Sequence, residues 1–185
     1  MKILDLGCGK RKRKGAIGID ISKDTDADVI HDLNIFPYPF ADNEFDYVYT
    51  DNIIEHLDSV VKVLEELHRI SKNGATVKII VPFFRSHYAF IDPTHEHSFT
   101  VRSFDYFDPG KEFNHLYKYS KCCFKIKKVL FDENMKHRLF GKMITDFANK
   151  KPFFYETRIS ILFLLNTLTY YLETLKIDSK TKGAS

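Results

Sequence analysis

The sequence predicts a single domain of the α/β class, built around a parallel sheet. Three observations support this fold class. Five short apolar runs of strand length lie in the first 83 residues, and the last two enclose one long segment with helical spacing. A glycine-rich turn follows the first run directly. At 185 residues, the chain has about the length of one domain.

The predicted strands are short apolar runs bounded by turn-forming residues. The first run ends in glycine and the second carries an acid near its end. A loop with two prolines, at 34–45, separates the third run from the fourth. The five strands are predicted at residues 2–7 (KILDLG), 16–21 (AIGIDI), 28–33 (DVIHDL), 45–50 (FDYVYT) and 75–83 (ATVKIIVPF).

The segment 51–72 has apolar residues at intervals of three and four, which predicts an amphipathic helix. Asp51 or Asn52 can cap its first turn, and the Asn-Gly pair at 73–74 is expected to end it. Strand, helix and strand in this order indicate a parallel crossover.

The rest of the chain is less regular. Residues 84–120 have no periodic pattern and are rich in histidine and aromatic residues, which is typical of a lid or a substrate loop. Residues 123–131 alternate enough to form a sixth strand. The strongest helical pattern of the C-terminal region covers 154–175, and residues 179–185 are expected to be a loose tail.

Composition is that of an ordinary globular protein, with 44% hydrophobic and 29% charged residues and a net charge of +3. The basic residues are concentrated in the back half, which suits either an anionic partner or a solvated surface. The three cysteines form no paired framework, and no apolar signal segment opens the chain, so we expect a cytoplasmic protein. The apolar stretch 159–172 is too short to span a bilayer.

The turn DLGCG (5–9) lies where ligands bind in parallel α/β sheets, beyond the carboxyl ends of the strands. Glycines there let a ligand approach the backbone closely. Asp20, near the end of the second run, is placed to accept hydrogen bonds from ribose hydroxyls, and Asp5 and Asp32 belong to the same edge. The dinucleotide fingerprint GxGxxG and the P-loop GxxxxGK[ST] are both missing.

Taken in order, the motifs DLGCG, GID, HDL, FDYVYTDNIIEHL and VPF resemble those of the class I S-adenosylmethionine (SAM) dependent methyltransferases. The resemblance covers residues 3–83. It implies a Rossmann-like sheet, mostly parallel with one antiparallel strand, and SAM as the cofactor. The single domain, 1–178, would then comprise a SAM-binding half (1–83), a lid or acceptor insertion (84–120) and a C-terminal strand with helices (121–178).

The resemblance also assigns a set of residues to the cofactor. The glycine turn passes the methionine portion of SAM, and the acid before it orients the turn and the SAM ammonium group. The acid ending the second strand binds the ribose, the acid after the third strand meets the adenine amino group, and the end of the fourth strand faces the methyl group. The implied residues are Asp5, Gly7, Cys8, Gly9, Asp20, Ile21, Asp32, Leu33, Thr50, Asp51 and Asn52.

The pair Glu55 and His56 matches the EH of the family at the helix start. These two residues either pack and hydrogen-bond at the helix start or contact the cofactor, and the sequence favours neither role. Two features differ from the family, which usually has one or two helices before its first strand. Here that strand begins near residue 3, and only about eight residues join Gly7 to the second strand, too few for a full crossover helix. A partner subunit or the C-terminal helices could cover the cofactor instead.

The basic run KRKRK (10–14) occupies the place of the reduced crossover helix. A solvated loop is one interpretation, and contact with the SAM carboxylate or an anionic acceptor is another. A nucleic-acid patch is a third, but the run lacks interleaved aromatic residues, which argues against it.

The insertion RSHYAFIDPTHEHSFTVRSFDYF (85–107) follows the fifth strand, on the edge where SAM is expected. Its candidate catalytic residues are His95, His87 and Asp92, since histidine or aspartate can remove the proton of an alcohol acceptor. A structural loop is an alternative. A metal site is a third, because His95 and His97 have the HxH spacing, but no cysteine pair or HExxH supports it and we assign no metal.

The sequence therefore predicts an enzyme that transfers a methyl group from SAM to oxygen on a small-molecule or glycan acceptor. A non-catalytic SAM- or nucleotide-binding module acting through a partner protein is an alternative. An RNA methyltransferase is another, although TDNI (50–53) replaces the N/D-P-P-Y/F motif of base methylation. For the apolar segment 159–172, a core helix, contact with a membrane surface and a homodimer through this C-terminal helix are alternatives.

Overall fold

The centre of the computed structural model is a seven-stranded sheet, and the structure describes residues 1–136 and 138–176. The strands are β1 (Ile3–Leu6), β2 (Ile17–Asp20), β3 (Val29–Ile30), β4 (Phe45–Asp51), β5 (Ser71–Pro82), β6 (Cys123–Phe131) and β7 (Thr167–Leu175). Their order is β3-β2-β1-β4-β5-β7-β6, and β7 is antiparallel to both of its neighbours. The predicted sheet, mostly parallel with one antiparallel strand, is confirmed.

The helical segments are short and lie mainly in the second half of the chain. They are α1 (Val60–Ile70), α2 (Tyr88–Ile91), α3 (Glu112–Leu116), α4 (Leu139–Lys150) and α5 (Pro152–Phe154), with single 3₁₀ turns at Ile54–His56 and Asp105–Phe107 and a π-helical turn at Tyr155–Ile159. The irregular insertion predicted after the fifth strand is confirmed, since 84–120 holds only such short segments.

The connection from β1 to β2 contains turns and no helix. The two strands are nevertheless parallel neighbours, with Asp5 opposite Gly18. A Cβ on Gly18 would lie 2.6 Å from Cδ of Lys12 and 2.7 Å from Sγ of Cys8, so the short connection packs directly on β2. The predicted reduction of the first crossover helix is confirmed.

Helix α1 begins later than the sequence predicts. Its N-cap is Ser59, whose hydroxyl accepts a hydrogen bond from the backbone N–H of Lys62 at 3.4 Å. Asp51 and Asn52 therefore do not cap it, because the chain first makes the 3₁₀ turn at Ile54–His56. Val63, Leu64, Leu67 and Ile70 of α1 are fully buried in the core, and each contributes about 1.5–3 kcal/mol.

The end of α1 also differs from the prediction. The chain passes from the helix directly into β5, so Asn73 and Gly74 lie inside this strand and do not end the helix. The register of β5 against β4 shifts there, since Phe45 is opposite Ser71 and Tyr47 is opposite Thr76. The Asn-Gly pair, with Gly74 at a φ of +77°, therefore lies at an irregularity of β5 and does not form a helix C-cap.

The C-terminal region differs most from the prediction. The prediction of one helix over 154–175 is wrong, because helical structure there ends with the short π-helical turn Tyr155–Ile159, and Thr167–Leu175 forms β7, which inserts between β5 and β6. Leu168, Tyr170 and Leu172 alternate along β7 and are buried, and the threonines and tyrosines of this segment suit a strand. The proposed homodimer through a C-terminal helix therefore loses the helix on which it was based.

The domain boundaries at 1–178 remain a prediction, and the tail expected at 179–185 lies outside the described residues. Among the residues that are described, no helix combines the length and apolar character needed to cross a membrane.

Two residues of α1 hold the proline-containing loop after β3. The carboxylate of Glu66 is buried, and it accepts hydrogen bonds from the backbone N–H of Tyr38 at 2.6 Å and from the Arg69 guanidinium at 2.5 and 2.9 Å. Arg69 also donates to the backbone carbonyls of Tyr38 and Phe40. This network connects the helix to the loop that leaves the carboxyl edge of the sheet.

Candidate functional site

The residues predicted to bind the cofactor meet at one edge of the sheet. Strands β1 to β4 are parallel, so their carboxyl ends lie side by side there. Gly7 follows β1, Asp20 ends β2, Asp32 follows β3 and Asp51 ends β4. Three adjoining cavities lie along this edge.

The turn after β1 requires glycine at its first position. Gly7 has a φ of +65°, and a Cβ on it would lie 2.5 Å from Cγ1 of Ile53. The backbone N–H groups of Gly7 and Cys8 both donate to the carbonyl of Ile19, at 2.9 and 3.2 Å. Gly9 has a φ of +53°. The turn therefore presents bare backbone to the cavities, as close approach of a ligand demands.

Asp20 closes this turn from the end of β2. Its Oδ2 accepts a hydrogen bond from the backbone N–H of Gly9 at 2.9 Å, and its Oδ1 accepts one from Ser22 at 3.0 Å. A carboxylate has about four acceptor positions, so two remain for hydroxyl groups of a ligand. Asp20 lines a cavity of about 170 Å³ together with Ile21 and Leu33.

Asp32 lines the same cavity from the far side. Its Oδ1 accepts a hydrogen bond from the backbone N–H of Asn34 at 2.9 Å, which turns the chain away from the edge. Ile21 is exposed there, whereas Leu33 is buried. The cavity thus offers the carboxylates of Asp20 and Asp32 together with apolar side chains, a lining suited to a flat heterocycle with polar groups at its edge.

Asp5 anchors the basic run. Its buried carboxylate accepts a hydrogen bond from the backbone N–H of Arg13 at 2.7 Å. Burial raises the pKa of Asp5, and the hydrogen bond and charge of Arg13 offset part of that rise. The guanidinium of Arg13 lies 3.3 Å from the centre of the Tyr49 ring, a cation–π contact. Lys12 pairs with Asp28 at 2.8 Å, so two of these five cations hold the turn in place.

The largest of the three cavities, about 470 Å³, lies between the basic run and the end of β4. Both cationic groups and carboxylates line it, and a free amino acid carries charges of both signs. Its walls include Asp5, Gly7, Cys8, Gly9, Lys10, Arg11, Arg13, Asp51 and Asn52.

The three residues predicted at the end of β4 differ in exposure. Thr50 is fully buried, and its hydroxyl has no hydrogen-bond partner among the described residues. Asp51 and Asn52 are exposed and line the large cavity. Asn52 has a φ of +51°, which bends the chain into the next turn. The structure therefore brings Asp51 and Asn52 to the cavity, and it does not bring Thr50 there.

A third cavity, of about 330 Å³, adjoins the large one at Asn52. It lies where the insertion folds over the Ile54–His56 turn. The backbone carbonyl of Glu55 accepts a hydrogen bond from the N–H of Glu96 at 2.8 Å, which fixes the insertion in this place. We refer to this third cavity as the acceptor cavity.

Two of the three candidate catalytic residues line the acceptor cavity. His95 and Asp92 both do so, and His56 lies beside them with its ring centre 4.5 Å from that of His95. His87 is exposed, its ring centre lies 4.0 Å from that of Tyr88, and it does not line the cavity.

His97 has a structural role. Its Nε2 donates a hydrogen bond to the backbone carbonyl of Leu57 at 2.8 Å, which pins the insertion a second time. The HxH spacing therefore does not bring His95 and His97 into one site.

Glu55 lines the acceptor cavity, although the sequence did not place it among the candidate catalytic residues. Its side chain is 0% exposed, and neither carboxylate oxygen has a hydrogen-bond partner among the described residues. Burial, with smaller effects from the charges of Asp51 and Asp92, raises the pKa of Glu55 to about 7. A carboxylate in this state is typical of functional sites. The EH pair was visible in the sequence, but its meeting with His95 was not.

Residues 4–79 match the protein family described as "Methyltransferase domain". Over these residues the chain carries a methyltransferase domain. A comparison of the methyltransferase with curated proteins gives no match.

Solved structures share the fold of the methyltransferase at low sequence identity. A SAM-dependent methyltransferase from Archaeoglobus fulgidus is 18% identical, with 93% of this chain and 85% of that chain covered and a TM-score of 0.59. A putative methyltransferase in complex with the Trm112 methyltransferase activator, from Haloferax volcanii, is 18% identical, with 95% and 83% covered and a TM-score of 0.59. A SAM-dependent methyltransferase from Mesorhizobium loti is 14% identical, with 93% and 90% covered and a TM-score of 0.54.

The predicted family, enzyme class and cofactor are therefore confirmed, and SAM is the cofactor of the methyltransferase. The residues present fit this group, because Gly7 leaves a cradle that a Cβ would fill and because charged groups of both signs line the largest cavity. The contacts of individual residues with SAM remain predictions.

Proposed function

We propose that the methyltransferase transfers the methyl group of SAM to a hydroxyl oxygen of a small or carbohydrate-like acceptor. The observation that carries this proposal is the acceptor cavity, which joins the large cavity at Asn52 and contains the paired rings of His56 and His95. In this proposal the acceptor occupies that cavity and attacks the methyl group of SAM in line.

The two other cavities together suit SAM. The methionine portion fits the large cavity, where Lys10 and Arg11 are near its carboxylate and Asp5 and Asp51 are near its ammonium group. The adenosine portion fits the cavity that contains Asp20. The two cavities share Gly7, which supports placing the sulfur between them.

SAM supplies a methyl group on a positively charged sulfur, and the chain mainly orients the reactants and excludes water. An alcohol acceptor must also lose its proton, and histidine nitrogens are suited to this near neutral pH. The carboxylate of Asp92 accepts two hydrogen bonds from Thr94, which lower the pKa of Asp92. Asp92 is therefore a weak base and acts as a positioning residue.

The size and lining of the acceptor cavity support a sugar-sized acceptor. Its volume is about 330 Å³, and it combines the exposed side chains of Tyr88 and Ile91 with the polar groups of His95 and Asp92. A sugar presents an apolar face and hydroxyl groups, so it can use both kinds of lining.

Calorimetry with SAM tests the cofactor site. We expect wild-type protein to bind SAM, and Asp20→Ala to raise the dissociation constant about 10–100-fold, because hydrogen bonds to charged groups contribute about 1.5–3 kcal/mol. Asp20→Asn keeps an oxygen that can accept the hydrogen bond from the N–H of Gly9, so the turn should stay in place. Any loss of affinity in this variant then reports the weakened contact with the ribose. Its affinity should lie between those of wild type and Asp20→Ala.

Asp24→Ala is the matched control, because Asp24 is an exposed acid of the same connection that lines none of the three cavities. Its SAM affinity should equal that of wild type. Unchanged affinity in both Asp20 variants would show that the adenosine portion binds elsewhere. Labelled SAM with a panel of hydroxylated acceptors then tests turnover, and transfer only to nitrogen acceptors would overturn O-methylation.

A further inference from the structure

We propose that Glu55, His56 and His95 bind one divalent metal ion of the zinc type at the base of the acceptor cavity. The role of this ion in catalysis rests on the proposed function, since it would bind the hydroxyl group that is methylated. The existence of the site does not depend on that function.

The three side chains are already gathered. One ligand atom from each lies within 4.8 Å of the other two, so small side-chain rotations bring them onto a common ion. Glu55 and His56 come from the turn after β4, and His95 comes from the insertion. The hydrogen bond from the N–H of Glu96 to the carbonyl of Glu55 holds the two segments together.

Glu55 is the independent observation that a cation belongs here. A fully buried carboxylate costs several kcal/mol, on the order estimated for unpaired ions, unless hydrogen bonds or a positive charge compensate it. Both of its oxygens lack hydrogen-bond partners among the described residues, and none of the ion pairs found there includes Glu55. A bound metal ion would satisfy both oxygens.

The hydrogen bonds of His56 fix the nitrogen that it offers. The Thr94 hydroxyl donates its proton to Asp92 at 2.7 Å, so it can only accept the 2.9 Å hydrogen bond from Nδ1 of His56. Nε2 of His56 therefore has a free lone pair. Asp92, Thr94 and His56 form the carboxylate-to-histidine relay that commonly orients metal ligands.

His95 is fixed in the same way. Its Nδ1 lies 3.2 Å from the backbone carbonyl of Ala89, which can only accept, so Nδ1 carries the proton and Nε2 is free. Two neutral imidazoles and one carboxylate are a typical ligand set for zinc and similar divalent ions, and they leave at least one coordination position open.

The three residues line the acceptor cavity, so an ion that they hold would be open to the acceptor. With the ion bound, both imidazoles would serve as ligands and would no longer act as the base. A hydroxyl oxygen bound to the ion would instead have a lowered pKa, and its proton would leave to water. The lone pair of this oxygen then forms the bond to the methyl carbon, while the bond from that carbon to sulfur breaks and its electron pair stays on sulfur. The products are the methyl ether and the neutral thioether.

Calorimetric titration of the purified protein with zinc chloride tests the site. We expect one ion per chain, with a dissociation constant of about micromolar or below. Glu55→Gln and His95→Ala should each weaken binding by more than about 100-fold, and Thr94→Val by about tenfold, the range seen when residues that orient metal ligands are lost. His87→Ala is the matched control from the same insertion and should bind like wild type.

Thermal unfolding without metal distinguishes loss of the ion from loss of the fold. Glu55→Gln should be at least as stable as wild type there, because the lost carboxyl group is buried and has no hydrogen-bond partner among the described residues. Zinc should raise the melting temperature of wild type and not that of Glu55→Gln. Equal zinc binding by wild type, Glu55→Gln and His95→Ala would overturn the proposal, as would absence of stoichiometric binding.

The SAM titrations keep the two proposals separate. SAM binding without zinc binding overturns the metal site alone. Another outcome is that wild type binds zinc, the Glu55 and His95 variants do not, and none of them binds SAM. This outcome supports the metal site and overturns the proposed function.

Discussion

Gly7→Ala is expected to weaken SAM binding about 100-fold. The left-handed φ of Gly7 costs another residue about 1–2 kcal/mol, and the methyl group would meet Ile53 at 2.5 Å, which adds about 1–3 kcal/mol. The turn will therefore leave its binding-competent conformation, and the apparent affinity falls by the fraction that remains competent. Calorimetric titration with SAM measures the change directly.

Gly74→Ala is the matched control for this substitution. Gly74 also has a positive φ, of +77°, but a Cβ on it would meet no atom within 4 Å, and it lies outside the three cavities. It should lose some stability and keep its SAM affinity. If Gly7→Ala binds SAM as tightly as Gly74→Ala does, the glycine turn is not part of the cofactor site.

Glu66→Ala is expected to lower the free energy of unfolding by about 3 kcal/mol, the lower end of the range for breaking a buried ion pair. The substitution leaves the guanidinium of Arg69 without its main partner and the N–H of Tyr38 without an acceptor. Urea unfolding followed by circular dichroism measures the loss.

Lys62→Ala, at an exposed position of the same helix, provides the comparison for Glu66→Ala. It should change the free energy of unfolding by less than about 0.5 kcal/mol, as exposed substitutions usually do. Equal losses in the two variants would mean that the loop after β3 does not depend on the Glu66 network.

The parallel half of the sheet could be predicted because its signals are local. Each strand from β1 to β4 is a short apolar run that ends in a turn, and the Gly7 turn and Asp20 are adjacent to the ends of their strands. Once the strands are known to be parallel, the position of the cofactor edge follows from the strand order.

The errors arose where distant parts of the chain decide the structure. The spacing of apolar residues over 154–175 is compatible with a helix, but the slot between β5 and β6 makes Thr167–Leu175 a strand. The acceptor cavity also depends on contacts between distant parts of the chain. Glu55 and His95 are far apart in the sequence, and only the docking of the insertion on the turn after β4 brings them together.

The position of β7 also determines the order in which this chain can fold during synthesis. Residues 167–175 leave the ribosome after β5 and β6, yet they fill the internal place between these two strands. Until they emerge, β6 lacks the strand with which it pairs, and one side of β5 is an open edge that other nascent chains can join. The parallel half can assemble first, whereas completion of the sheet is a late, long-range step that leaves the newborn chain open to aggregation.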